Sequence, residues 1–98
     1  MSGLSEATWE KIRALFAPTQ HDEVAAILQN ECGNNLPFLH SKTPEELERV
    51  RFAALKLSQG RMDKLRRAVR VANADWRDLL VGAGFADSVD SYKQWKPS

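Results

Sequence analysis

The chain predicts an all-α fold, a single compact domain of five to six helices covering residues 1–98. Three observations carry that prediction. Apolar residues recur at intervals of three and four along most of the chain. Helix-capping residues precede these stretches and glycines follow them. No convincing strand pattern lies between them. With 98 residues, 43% hydrophobic and 28% charged, the chain has room for one core and none for a second domain. No Gly/Ser linker, low-complexity tract or internal repeat marks a boundary.

The elements follow in order. Ser5 caps a first helix with Trp9, Ile12, Leu15 and Phe16 at helical spacing, and Leu4 is placed to pack on Trp9 as a hydrophobic staple. That helix stops before Pro18. Thr19 reads as the next N-cap, with Asp22 and Glu23 in the first turn, Val24, Ile27 and Leu28 as the buried stripe, and Gly33 as a left-handed terminus. Residues 34–42 read as loop, although Leu36, Phe38 and Leu39 are too apolar to be left in water. Thr43-Pro44-Glu45-Glu46 is the strongest local signal: an N-cap, a proline at the first helical position and a glutamate placed for a capping box. The third helix carries Leu47, Val50, Ala53, Ala54 and Leu57 on one face and Phe52 and Leu55 off it, which suits a central position, and Gly60 ends it.

From Met62, the spacing of Leu65, Ala68, Val69 and Ala72 marks a fourth helix whose remaining circumference is basic. Asp75 reads as the cap of a short fifth helix with Trp76, Leu79, Leu80 and Ala83 on one face. Gly84 and Phe85 fit a Schellman ending. Asp87 and Asp90 open a last helix with Val89, Tyr92 and Trp95, closed by Pro97. Trp9, Trp76 and Trp95 lie on apolar faces; near the terminus, Trp95 is either clamped to the body or open to a partner.

Charge is sorted along the chain. Residues 1–48 carry 3 basic and 8 acidic side chains, and residues 49–77 carry 9 and 2, a pattern hidden by the formal total of +1. Clustered charge of one sign steers encounters with the opposite sign. The candidate partner or phosphate surface is therefore Arg61, Lys64, Arg66, Arg67 and Arg70. The second candidate surface is the Asn34/Asn35 turn, where Asn and Gly tolerate left-handed backbone and can display amides. The bland alternatives are a solvated helix face and an ordinary helix-terminating turn.

The words ECGNNLPF, TPEELERVRFAALKLSQG and DWRDLLVGAGF resemble those of a group of small uncharacterised bacterial proteins of similar length. The resemblance covers most of the chain and implies a bacterial origin. It brings no activity, cofactor or catalytic residue to any position.

Enzymatic and metal chemistry find little footing. Cys32 with His21 or His40, and Asn34 or Asn35 as orienting amide, is the one pairing able to make an activated thiolate. Cys32 also follows Val24, Ile27 and Leu28 at near-helical spacing, as a small buried hydrophobe would. One cysteine and two histidines show no CxxC or HExxH spacing, and no glycine-rich phosphate loop or calcium loop is present, so no cofactor is expected. The fourth and fifth helices invite comparison with a helix-turn-helix, but WRDLLVGA offers only Arg77 and Asp78 for base readout. A lone cysteine excludes an intrachain disulfide, and the opening MSGLSEATWE lacks the regions of a secretory signal, which leads to a cytoplasmic expectation. The longest apolar stretch, residues 79–86, is interrupted by two glycines and falls far short of the ~20 residues of a membrane helix. The function expected is that of a protein-protein interaction or adaptor module. Non-specific nucleic-acid binding through the basic fourth helix comes second and a thiol-dependent enzyme at Cys32 third. Self-association, with the acidic hairpin of one copy meeting the basic helix of another, is a further use of the sorted charge.

Overall fold

Ser5 starts α1 (Glu6–Leu15): its hydroxyl accepts the Thr8 amide at 3.1 Å, satisfying one of the free donors of the first turn. The computed structural model describes residues 4–33, 35–37, 39 and 43–97. After Phe16 the chain makes a 3-10 turn, Pro18–Gln20, and enters α2 (His21–Glu31) without a side-chain cap. Thr19, expected as that cap, lies inside the turn, where the bond from Gln20 N to Ala17 O (2.8 Å) leads the backbone into the helix. The far end of α2 also departs from expectation, since Gly33 is not left-handed. Instead the Arg51 Nε donates to the carbonyls of Leu28 (3.2 Å) and Cys32 (3.1 Å), so a buried guanidinium caps the helix. Gly33 is small for a different reason: a Cβ there would overlap Arg51 Nη2.

Thr43 opens α3 (Pro44–Ser58) as the sequence foretells, its hydroxyl accepting the Glu46 amide at 3.2 Å with Pro44 in the first turn. The Glu46 carboxylate turns to Arg49 at 3.5 Å. Every residue from Arg49 to Leu55 is buried, because α3 packs against α4, α1 and the C-terminal turn. Two successive left-handed residues, Gln59 (φ 53°) and Gly60 (φ 79°), then reverse the chain. Gly60 is needed twice over, since a Cβ would also come within 2.6 Å of the Leu15 carbonyl oxygen.

The five or six helices expected are four α-helices among the described residues. Met62–Ala83 forms one long α4 with a single non-helical residue, Asp75 (φ −161°, ψ 108°). There the Asp75 carboxylate accepts the Arg77 amide at 3.0 Å and grips the Arg77 guanidinium with both oxygens, at 3.0 Å each. Asp75 thus acts as the N-cap expected of it, but at a kink with no loop between the two helical stretches, so the helix-turn-helix comparison loses its turn. Gly84 (φ 81°) ends α4, with bonds from Gly84 N to Val81 O and from Phe85 N to Leu80 O that form a Schellman motif. The last predicted helix is only a 3-10 turn, Ser91–Gln94. Ser88, not Asp87, organises its approach, its hydroxyl accepting the Asp90 amide at 3.1 Å.

The core is continuous through all four helices. Leu36 and Leu39 are buried in it as expected, while Phe38 lies outside the described residues. Both chain ends meet at Glu48 on α3: one carboxylate oxygen accepts the Ser5 hydroxyl and the other accepts the Tyr92 hydroxyl at 2.9 Å. Burial, then the neighbouring Glu48 carboxylate, raises the Tyr92 phenol above its ordinary range. Trp95 is clamped to the body, its ring edge-on to Phe52 with centroids 5.9 Å apart. Among the described residues no helix is long and apolar enough to cross a membrane.

Candidate functional site

Of the nine basic residues between 49 and 77, two are not surface charges at all. Arg51 caps α2 at 3% exposure, and Arg49, 8% exposed, donates to the Phe85 carbonyl at 2.7 Å. Arg77 is held by Asp75, whose carboxyl is kept below the usual range first by the hydrogen bonds from that guanidinium. Arg61 precedes α4 and pairs with Asp63 at 3.2 Å. Lys56 lies on α3 with its Nζ over the Phe85 ring, 4.9 Å from the centroid, which leaves Lys64, Arg66, Arg67 and Arg70 on α4, and the helical period divides these between two flanks.

On the α2 side, a cleft of about 340 Å³ is lined by Ile27, Glu31, Asn35, Arg66, Val69, Arg70 and Asn73. It brings together the two surfaces singled out in the sequence, the basic helix and the turn after α2. Ile27 and Val69 are buried and form an apolar floor. Arg66 reaches across to Glu23 of α2 at 2.6 Å, both side chains about half exposed. The Arg70 guanidinium makes no ion pair or hydrogen bond among the described residues.

The amides at the end of the cleft are already engaged. Asn35 Nδ2 donates to the Glu31 carbonyl (3.1 Å) and to Asn73 Oδ1 (2.9 Å), while Asn35 Oδ1 accepts the Gly33 amide (3.1 Å). Asn73 Nδ2 donates to Glu31 O (2.8 Å) and Val69 O (2.9 Å). All four N–H donors are spent within the chain, so these residues stitch the turn onto α4 and leave only acceptor lone pairs for a ligand. Asn34 lies outside the described residues. Asn35 and Glu31, the partners that Asn73 holds across the cleft, lie 38 and 42 residues away in sequence, and no local pattern announces them.

On the α3 side, a groove of about 310 Å³ is lined by Leu57, Gln59, Lys64, Arg67, Ala68 and Val71. No carboxylate is among these residues. Lys64 Nζ donates to Gln59 Oε1 at 2.5 Å, and the Arg67 guanidinium has no ion pair or hydrogen bond among the described residues. Val71, 38% exposed, is one of three large hydrophobic residues left in water among the described residues, with Val81 and Val89.

The pairing of Cys32 with His21 does not form. Cys32 is fully buried, and burial pushes its pKa up to about 12 against the smaller opposing pull of Arg51, so the thiol stays protonated at neutral pH. His21 sits at the other end of α2, roughly 16 Å away at 1.5 Å per residue, with its Nε2 at 2.8 Å from the Phe16 carbonyl oxygen. His40 lies outside the described residues. Among the described residues no cluster of three His, Cys, Asp or Glu side chains could hold a metal ion. No protein-family model, curated protein or solved structure matches this chain. The functional reading therefore rests on geometry and charge.

Proposed function

We propose that this protein is a protein-binding module whose partner surface is the cleft between α2 and α4, formed by Arg66 and Arg70 over the apolar floor of Ile27 and Val69. The observation that carries this reading is the convergence of basic helix and stitched turn on one cleft. Its charges are mixed: Glu23 neutralises Arg66, and Glu31 is among the residues that line the same space. A polyphosphate backbone seeks several unopposed cations in a row, because affinity comes from released counterions. A protein partner with alternating charge and an apolar anchor suits a neutral, floored cleft better. Nucleic-acid binding is the weaker alternative, since the α4 cations that meet no carboxylate among the described residues, Lys64, Arg67 and Arg70, are divided between two flanks.

The test is capture from lysate of the source organism, with and without nuclease treatment, comparing the wild-type chain, Arg66→Glu/Arg70→Glu, and Arg13→Glu on α1 as a control. The expected result is a protein retained by wild type and control and lost by the double variant. Equal capture by all three would refute the reading. Recovery of nucleic acid that falls steeply with salt would replace it with the alternative.

A further inference from the structure

We infer that the α3–α4 groove is a self-association site, occupied by the Asp87–Asp90 turn of a second copy of this chain. The inference stands apart from the α2–α4 cleft, because the two surfaces lie on opposite flanks of α4 and share no residue.

Two of the three exposed large hydrophobic residues among the described residues have matching surroundings of opposite charge. Val71 sits in a groove floored by Leu57 and Ala68 and rimmed by Lys64 and Arg67, three residues apart on one helix. Val89, 65% exposed, is flanked by Asp87 and Asp90, also three residues apart. Apolar side chains left in water gain by mutual burial, and charges of opposite sign around them set register and exclude wrong pairings. The groove of about 310 Å³ is at the lower end of the range for a bound small molecule and admits a valine-tipped turn.

The turn is preformed for the purpose. Ser88 accepts the Asp90 amide at 3.1 Å and its carbonyl accepts the Ser91 hydroxyl at 3.1 Å, so little ordering is required on docking. Asp87 has no ion pair among the described residues, and Asp90 meets only the exposed Lys93 at 3.3 Å. Arg67 is likewise unopposed. The acidic helix α2 is a poorer occupant, because its Glu23 is engaged within the chain by Arg66.

The contact is small, below the area of a standard stable interface, so association belongs in the range of about 10 µM to 1 mM. Two copies related by a two-fold axis would make it twice, and a head-to-tail repeat once per molecule.

Sedimentation of the purified chain over that concentration range at low salt tests the inference. The weight-average mass should rise with concentration, and about 0.5 M salt should weaken the association at least about tenfold. Lys64→Glu/Arg67→Glu and Asp87→Lys/Asp90→Lys should each stay monomeric, and an equimolar mixture of the two should associate again through the swapped charges. Val89→Asp, a change at an exposed site with no structural role, should also be monomeric. A wild-type monomer throughout would overturn the inference and leave the groove to another occupant. So would association that survives both reversals, or a mixture that fails to recover.

Discussion

Arg66 and Arg67 are adjacent in sequence and belong to different surfaces. On the α2 flank Arg66 is neutralised by Glu23, and the cleft is held by side chains: the Asn35–Asn73 amide pair, the carbonyls of Glu31 and Val69, and the Arg51 cap behind them. On the α3 flank Arg67 is unopposed, and the groove is framed by backbone, at the left-handed Gln59–Gly60 reversal lying against the Leu15 carbonyl. On one flank the amides and Arg66 are engaged within the chain and Arg70 is left open over an apolar floor; on the other the lining is apolar and its cations meet no carboxylate. A basic helix is thus not one surface, and its neighbours decide which of its charges a partner can use.

Substitutions at the two frames should separate them by size. Gly60→Ala strains a left-handed residue and presses a methyl group onto a backbone carbonyl that cannot retreat, so urea denaturation should show a loss of about 3 kcal/mol. A loss under about 0.5 kcal/mol would mean that the reversal relaxes easily and is no rigid frame. Asn73→Ala removes the stitch on the other flank and leaves the Glu31 carbonyl with one donor fewer. The expected cost is about 1–2 kcal/mol, together with faster hydrogen exchange at Gly33 and Leu36, while the α3 flank keeps its protection. Gly33→Ala should cost less than Gly60→Ala, about 1 kcal/mol, since the colliding atom is the end of the Arg51 side chain and not backbone. Glu23→Gln breaks a half-exposed ion pair and should move stability by no more than about 0.5 kcal/mol.

The thiol supplies a pH-dependent comparison. Folding raises the Cys32 pKa from its ordinary 9.0 to about 12, so the folded state holds the proton more tightly than the unfolded chain. The stability this represents is complete below about pH 9 and is lost as pH rises from there toward 12. Tyr92, also raised, adds a loss of the same sign that begins above its ordinary 10.0. Cys32→Ala should remove the earlier part of this alkaline decline in denaturation midpoints measured against pH. An unchanged decline would place its origin elsewhere.

The sequence made the helix starts legible wherever a cap is local. Ser5 and Thr43 with Pro44 act as their types and spacing require, and the burial of α3 on two faces follows from Phe52 and Leu55 lying off its main stripe. The boundary expected at Asp75 is present as a capped kink, but with no loop around it the two helical stretches run on as one element, and the sixth helix is only a 3-10 turn because Ser88 to Gln94 has room for no more. Gly33 looked like a terminus by type, whereas the cap comes from Arg51, distant in sequence. The same limitation affects charge: periodicity cannot distinguish a solvated arginine from Arg49 or Arg51, whose guanidiniums satisfy buried carbonyls. The angular split of Lys64, Arg66, Arg67 and Arg70 was implicit in a period of 3.6 residues. Which flank faces α2 and which faces α3 required the packing.

The contrast between the flanks is tested most directly by dilution of the isotope-labelled chain, following backbone amide shifts by NMR at low salt. Concentration-dependent shifts are expected at Leu57, Lys64, Arg67, Ala68 and Val71 and across Asp87 to Ser91, with Ile27, Glu31, Asn35 and Asn73 unmoved. Shifts confined to the α2 flank, or none anywhere, would contradict the assignment of the open, self-recognising surface to the α3 side.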